Sequence, residues 1–270
     1  MGTGGSALSQ YLRARRALVT PEEAGIPREP GRRVSGLRRD EVAALTGVSP
    51  GYYHRLEQGR DRHPSEQVLL ALATVLRLDD FAVEHLFRLA EAESGALVSD
   101  ETARAQGPVE VADVVDHWVQ NPAFVTDGLQ TVVASNVLAR RLGQGRLDPG
   151  QNMVQCWFTD EARSFAPDWE ESAARLVAAL RFQSDPADPA LHRLVARLTA
   201  EDDQFADLWA RHDARPLGDG FIRFDVPGVG AIDLRYQSLA VPSRRGSALT
   251  VFFAEPGTPG AAALAYLMAL

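Results

Sequence analysis

Leu37–Gln58 reads LRRDEVAALTGVSPGYYHRLEQ, and this stretch decides the fold of the N-terminal part. Its apolar positions are Val42, Leu45, Val48, Tyr53 and Leu56. Ala43 is small where two helices must cross closely. Gly47 comes four residues later, where the chain has to leave the first helix with positive φ. Ser49 is placed to cap the next helix. The spacing predicts two short helices, Arg38–Thr46 and Pro50–Gln58, set at a steep angle as a helix-turn-helix whose second member enters a major groove. Such a helix reads bases with its N-terminal turns, so Ser49, Pro50, Gly51, Tyr52 and Arg55 are expected to face DNA. Arg38 and Arg39 open the first helix, where free backbone N–H groups and the helix dipole favour a phosphate. Arg60, Arg62 and His63 follow the second helix and are expected to grip the next phosphates. The alternative is a helical hairpin with solvated arginines.

Outward from this pair, three more helices are expected at Ala7–Val19, Ser65–Leu76 and Asp79–Ala92, the second of them capped by Ser65. The first carries Leu8, Tyr11, Leu12 and Leu18 for a buried stripe. The intervening loop Thr20–Gly36 is longer than a helix-turn-helix needs. Its Arg28, Arg32 and Arg33 make it either a phosphate clamp or minor-groove arm, or a mobile surface loop. Residues 1–93 therefore form an all-α domain of five helices, and 94–108, small and polar with Gly and Pro, form a linker. Residues 109–270 change character. A helix at Val109–Val119 precedes a hairpin, Phe124–Thr126 with Thr131–Ala134, turning at Asp127-Gly128. Asn136 is placed to cap a helix reaching Leu142. Helices at Trp169–Arg181, Ala190–Leu198 and Asp203–His212 come next, then strands at Phe221–Val226, Ala231–Leu239 and Ala248–Ala254. A helix over Gly260–Leu270 closes the chain. This order implies an α+β chain whose second part is an antiparallel sheet with helices gathered on one face.

Charge placement supports a polyanion partner for the head alone. The 28 basic residues are all arginine, a bias that composition alone does not make functional. Residues 1–63 hold 11 arginines against 7 acids, whereas residues 64–270 hold 17 against 29. A basic head on an acidic body points to nucleic acid at the head. The 45% hydrophobic and 24% charged content is that of a globular protein. No apolar run long enough to cross a membrane occurs, and the N-terminus lacks a signal-peptide core, which predicts a soluble, cytoplasmic protein. The single cysteine, Cys156, excludes an intramolecular disulfide and a cysteine-cluster metal site. No metal or cofactor is expected. No GxSxG, HExxH, P-loop or CxxC motif is present, so the chain is not expected to be an enzyme. Gly228 and Gly230 lie between two strands and mark a turn.

LRRDEVAALTGVSPGYYHRLEQGRDRHPSEQVLLALATVLRL resembles the Xre-type, lambda-repressor-like helix-turn-helix domain. FVTDGLQTVVASN, PDWEESAARLVAALR, FADLWARHDARP and VFFAEPGTPGAAAL resemble the MmyB-like ligand-binding domain of bacterial transcription regulators. One departure is VVASN, with Ala134-Ser135 where members usually carry an aromatic residue before the Asn. The resemblance implies a PAS-like sheet domain, homodimers, and double-stranded palindromic operators. It also implies an ion pair between Arg16 and Glu57, the alternative being two exposed charges.

The aromatic residues Trp157, Phe158, Phe165, Trp169, Trp209, Tyr236 and Phe252 are candidates for a cavity lining or for ordinary core. Trp209 and His212 lie three apart and are expected to share a helix face. Ile232, Leu234 and Tyr236 alternate with Asp233 and Arg235, giving a strand with one apolar face. A ligand site at Trp157, Trp209, His212, Leu234 and Tyr236 is the expectation, taking a largely apolar, fatty-acid-like molecule or natural product. These observations predict a sequence-specific DNA-binding transcription regulator with a sensor domain. The alternatives are a regulator whose C-terminal domain only dimerises or binds a protein partner, and an enzyme with a DNA-binding head.

Overall fold

The computed structural model describes residues 5–27, 31–61, 63–94, 115–241 and 244–270. By its contacts the chain divides into two units. The first comprises residues 1–99 together with Asp207–Arg215, and the second comprises Asp100–Ala206 with Pro216–Leu270. The expected linker, apart from Ser94, and most of the helix expected at Val109–Val119 lie outside the described residues, as do Arg28 and Arg62.

The first unit is helical: α1 (Ala7–Leu18), α2 (Arg39–Thr46), α3 (Pro50–Glu57), α4 (Glu66–Val75) and α5 (Asp80–Ser94). Leu8, Tyr11 and Leu12 put one face of α1 into the core, and the Ser6 hydroxyl accepts from the Ser9 N–H at its start. Leu18 faces out. Gly47 ends α2 at φ 73°, where its N–H reaches back to the last carbonyls of the helix. Ser49 caps α3 through the Tyr52 N–H at 3.2 Å, with Pro50 in the first turn. Ser65 caps α4 in the same way. Val42, Ala43, Tyr53 and Leu56 are fully buried together with Leu37, Leu72 and Leu86. Leu45, expected in the core, is 43% exposed, and the partly buried Val48 packs there beside Val42 and Ala43.

The second unit is built on a five-stranded antiparallel sheet in the order β2-β1-β5-β4-β3, from β1 (Ala123–Thr126), β2 (Val132–Ser135), β3 (Asp219–Val226), β4 (Gly230–Ala240) and β5 (Ala248–Phe253). Around it lie α6 (Val137–Gly143), α7 (Met153–Trp157), α8 (Asp160–Phe165), α9 (Trp169–Gln183), α10 (Pro189–Glu201), α11 (Asp203–Ala210) and α12 (Pro259–Ala269). The last turn of α11 is counted with the first unit. Ile232, Leu234 and Tyr236 on β4 point at α6 and α12 in one core, and Asp233 and Arg235 point away. Gly260 lets α12 approach β4 closely, since a Cβ there would sit 2.9 Å from Leu234. The sheet is covered on both faces at its centre, not on one: β1 and β5 are buried almost throughout, with Val125, Leu249 and Val251 in a second core around Val115.

The β1–β2 turn is longer than an Asp-Gly pair. Asp127 accepts from the N–H groups of Leu129 and Thr131, and the left-handed residue is Gln130. Gly128 lies close to α9, where a Cβ would sit a tight 3.1 Å from the Gln183 carbonyl. Asn136 caps α6 through the Ala139 N–H, accepts from Ala123, and donates to the carbonyls of Trp118 and Asn121. No described helix is long and apolar enough to cross a membrane.

Candidate nucleic-acid interface and ligand grooves

The inner face of α3 is fixed by charge as well as by packing. Glu57 is fully buried and accepts from Arg16 Nε at 2.6 Å, from Arg39 Nε at 2.5 Å and from the Tyr53 hydroxyl at 3.0 Å. Arg16 also donates to the Leu37 carbonyl. Burial by itself would raise the Glu57 carboxyl, but the hydrogen bonds from Arg16 and Arg39 hold it below the usual value. The Tyr53 hydroxyl is pushed well up, first by burial and then by the Glu57 charge beside it. These contacts tie α1, α2 and α3 together, so the outer face of α3 is presented at a set angle.

That outer face carries Pro50, Gly51, His54 and Arg55, all exposed, with Tyr52 half-buried beside them. The Arg55 guanidinium lies 5.9 Å from the Tyr52 ring and 3.9 Å from Asp61. Arg60 and His63 are exposed beyond the helix, and Arg38 opens α2 half-buried. Of the expected phosphate contacts, Arg39 has its Nε on Glu57 while half its side chain stays exposed. Sequence reasoning missed His54, which shares a 2.7 Å contact with Gln58. Its place one helical turn past Pro50 was the available signal.

The loop arginines divide. The Arg32 side chain is 1% exposed, pairs with both oxygens of Glu41 at 2.5 and 2.7 Å, and donates to the carbonyls of Val34 and Gly36. It holds the loop onto the start of α2, so the expected clamp role does not fall to it. Arg33 is exposed. Glu41 also accepts from the Arg38 N–H at 2.6 Å, closing the helix start. The Arg32 hydrogen bonds hold the Glu41 carboxyl down to about 2, against a smaller upward push from burial.

The expected ligand residues fall in both units, Trp209 and His212 in the first and Trp157, Leu234 and Tyr236 in the second. Leu234 and Tyr236 are buried in the core under α12, where Phe252 stacks on Phe124. Trp209 and His212 belong to the first unit, where His212 lies 6.4 Å from the Tyr11 ring and its neighbour Asp213 pairs with Arg15 at 2.5 Å. Helix α11 ends at Ala210 and His212 has φ 54°, so the three-residue spacing from Trp209 is not helical there. Trp157 lines a groove, of about 440 Å³, between the α8–α9 turn at Pro167 and the edge strand β3. Phe221 and Ile222 form its apolar side, and the Arg223–Asp233 pair its polar end. Trp157 is held by exchanging indole hydrogen bonds with Trp169, each donating to the other's carbonyl. A second groove of about 480 Å³ opens between α10 and the β1–β2 turn. Among the described residues no cluster of His, Cys, Asp and Glu could hold a metal. Burial pushes the Cys156 thiol up.

A helix-turn-helix unit with an exposed second helix, followed by a sheet unit bearing grooves, defines a DNA-binding transcription regulator with a ligand-binding domain. The chain belongs to the family of the MmyB-like transcription regulator ligand binding domain, whose model matches residues 108–267. Residues 7–86 match a helix-turn-helix domain. Both families are regulator domains, not enzymes. No curated protein matches the chain.

Proposed function

We infer that the protein is a homodimeric, sequence-specific transcription regulator that reads double-stranded DNA through α3 and binds a small, largely apolar ligand in its second unit. The observation that carries the DNA reading is the two-sided α3. Its inner face is locked by Glu57, Tyr53 and Leu56, and its outer face leaves Pro50, Gly51, His54 and Arg55 open. The contacts expected on DNA are those of Arg38, Arg39, Ser49, Pro50, Gly51, Tyr52, Arg55, Arg60, Arg62 and His63. Selection from a random duplex library tests it. Enrichment of an inverted repeat with half-sites about one helical turn, roughly 34 Å, apart is expected. Recovery of unrelated sequences would overturn it.

For the ligand, the groove at Trp157, Phe221 and Ile222 is the place to look. Native mass spectrometry of the purified chain should find an added apolar mass that Trp157→Ala releases. A specific observation also favours a dimerisation role, since Phe221 is 68% exposed on an edge strand. If Phe221→Arg makes the protein monomeric and no ligand mass is found, the groove is an interface.

A further inference from the structure

The groove between α10 and the β1–β2 turn has the donors of an anion site. Arg193 and Arg197 lie one helical turn apart on α10 and both line it. Both are exposed, and among the described residues neither side chain makes a hydrogen bond or ion pair, although residues 64–270 carry 29 acids for 17 arginines. Glu201, one turn beyond Arg197, makes no ion pair with it either. Like charges at this spacing repel, so the pair is unfavourable unless an anion sits between them. The opposite wall adds donors. The Thr131 hydroxyl accepts from the Asn152 side-chain amide at 3.2 Å, which leaves its own O–H to donate. The Gln155 side-chain amide has no partner. No carboxylate lines the groove, and its volume of about 480 Å³ suits a small molecule.

We propose that this groove binds a small, multiply charged oxyanion, held between Arg193 and Arg197 with Thr131 and Gln155 on the far side. The site is separate from the apolar groove at Trp157 and does not depend on the ligand read there. Guanidinium groups match phosphate and carboxylate oxygens alike, so both sources share this chemistry.

The test is calorimetric titration of the full chain with inorganic pyrophosphate and, separately, with citrate, at constant ionic strength. Arg193→Gln/Arg197→Gln should weaken binding of the preferred anion about tenfold or more, as expected for loss of charged hydrogen bonds. Arg244→Gln/Arg245→Gln, which removes two other exposed arginines that lack partners, should leave it unchanged. Among the described residues the side chains of both arginine pairs make no hydrogen bond or ion pair, so both variants should keep the wild-type circular dichroism spectrum. Stronger binding of pyrophosphate assigns the site to phosphate-bearing molecules, and stronger binding of citrate to polycarboxylates. The proposal is overturned if the wild type shows no saturable binding, or if both double variants bind equally.

Discussion

In the first unit arginines end on carboxylates inside the fold: Arg16 and Arg39 on Glu57, and Arg32 on Glu41. In the second unit the pair Arg223–Asp233 lies on the outer face of β3 and β4 with both side chains substantially exposed, the core between β4, α6 and α12 is apolar, and the half-buried pair Arg163–Asp202 lies away from that core, between α8 and the α10–α11 junction. The two units solve different problems. Two of the first unit's helices have only eight residues, and packing alone sets the angle between such short helices weakly. Directional hydrogen bonds from α1 and α2 onto one carboxylate of α3 add the missing constraint. In the sheet, the backbone ladder and the alternation of Ile232, Leu234 and Tyr236 already set the register. The comparison also revises the charge argument. The head's excess of arginine overstates what DNA meets, because Arg16 and Arg32 are used internally.

The strongest way to break this contrast is Glu57→Gln. It leaves Arg16 and Arg39 without their carboxylate, and removal of one partner of a buried pair costs about 3–5 kcal/mol. Hydrogen exchange should show α1–α3 losing protection while β4 and β5 keep theirs, and operator affinity should fall with it. Unchanged protection in α1–α3 would mean that packing alone sets the helix angle.

Next in size is Arg55→Ala, which acts on DNA and not on the fold. Arg55 is exposed and only weakly paired, so unfolding should be unaltered, while operator binding should lose about 1–3 kcal/mol and specificity should relax. Arg38→Ala, at the start of α2, should weaken operator and random DNA alike and reduce the salt dependence. Titrations of both duplexes at two salt concentrations check this. Equal loss on both duplexes for Arg55→Ala would remove its role in reading bases.

How far the sequence discloses these features follows from the range of the interactions. The helix-turn-helix is local: Gly47, Ser49 and the spacing of Val42, Tyr53 and Leu56 are enough to place α2 and α3. The Arg16–Glu57 pair was expected from the family resemblance and is present. The Arg39 contact with the same glutamate and the Arg32–Glu41 pair were not foreseen, because they depend on the path of the loop through Gly36. A Cβ at Gly36 would run into the Ala17 backbone at 2.4 Å, a proximity that no periodicity reveals. Helices α7 and α8, of five and six residues, are too short to show a period. The helix face expected for Trp209 and His212 does not form, because helix spacing was extended past the end of α11 at Ala210.

The smallest effects separate two carboxylates that arginine pulls down in different surroundings. Glu41 is held at about 2 by a buried Arg32, and Asp233 is lowered by its hydrogen bonds from an exposed Arg223. For a group with a depressed folded pKa, the stabilisation is fully present above its unfolded pKa and is lost as pH falls through the folded one. The Glu41 contribution is therefore complete above about pH 4.5 and fades toward about pH 2. Glu41→Gln should cost of order 1–2 kcal/mol at neutral pH, by leaving buried Arg32 half-satisfied, and should flatten the acid limb of the first unit's stability in that window. Asp233→Asn has the same sign, but water already screens that pair, with the Asp233 side chain 53% exposed. It should leave both the urea midpoint and the acid limb where they are. Urea unfolding followed by circular dichroism from pH 7 down to pH 2 measures both variants. A steeper loss from Asp233→Asn than from Glu41→Gln would show that the surface pair, not the buried one, carries the acid sensitivity, and the contrast between the two units would fail.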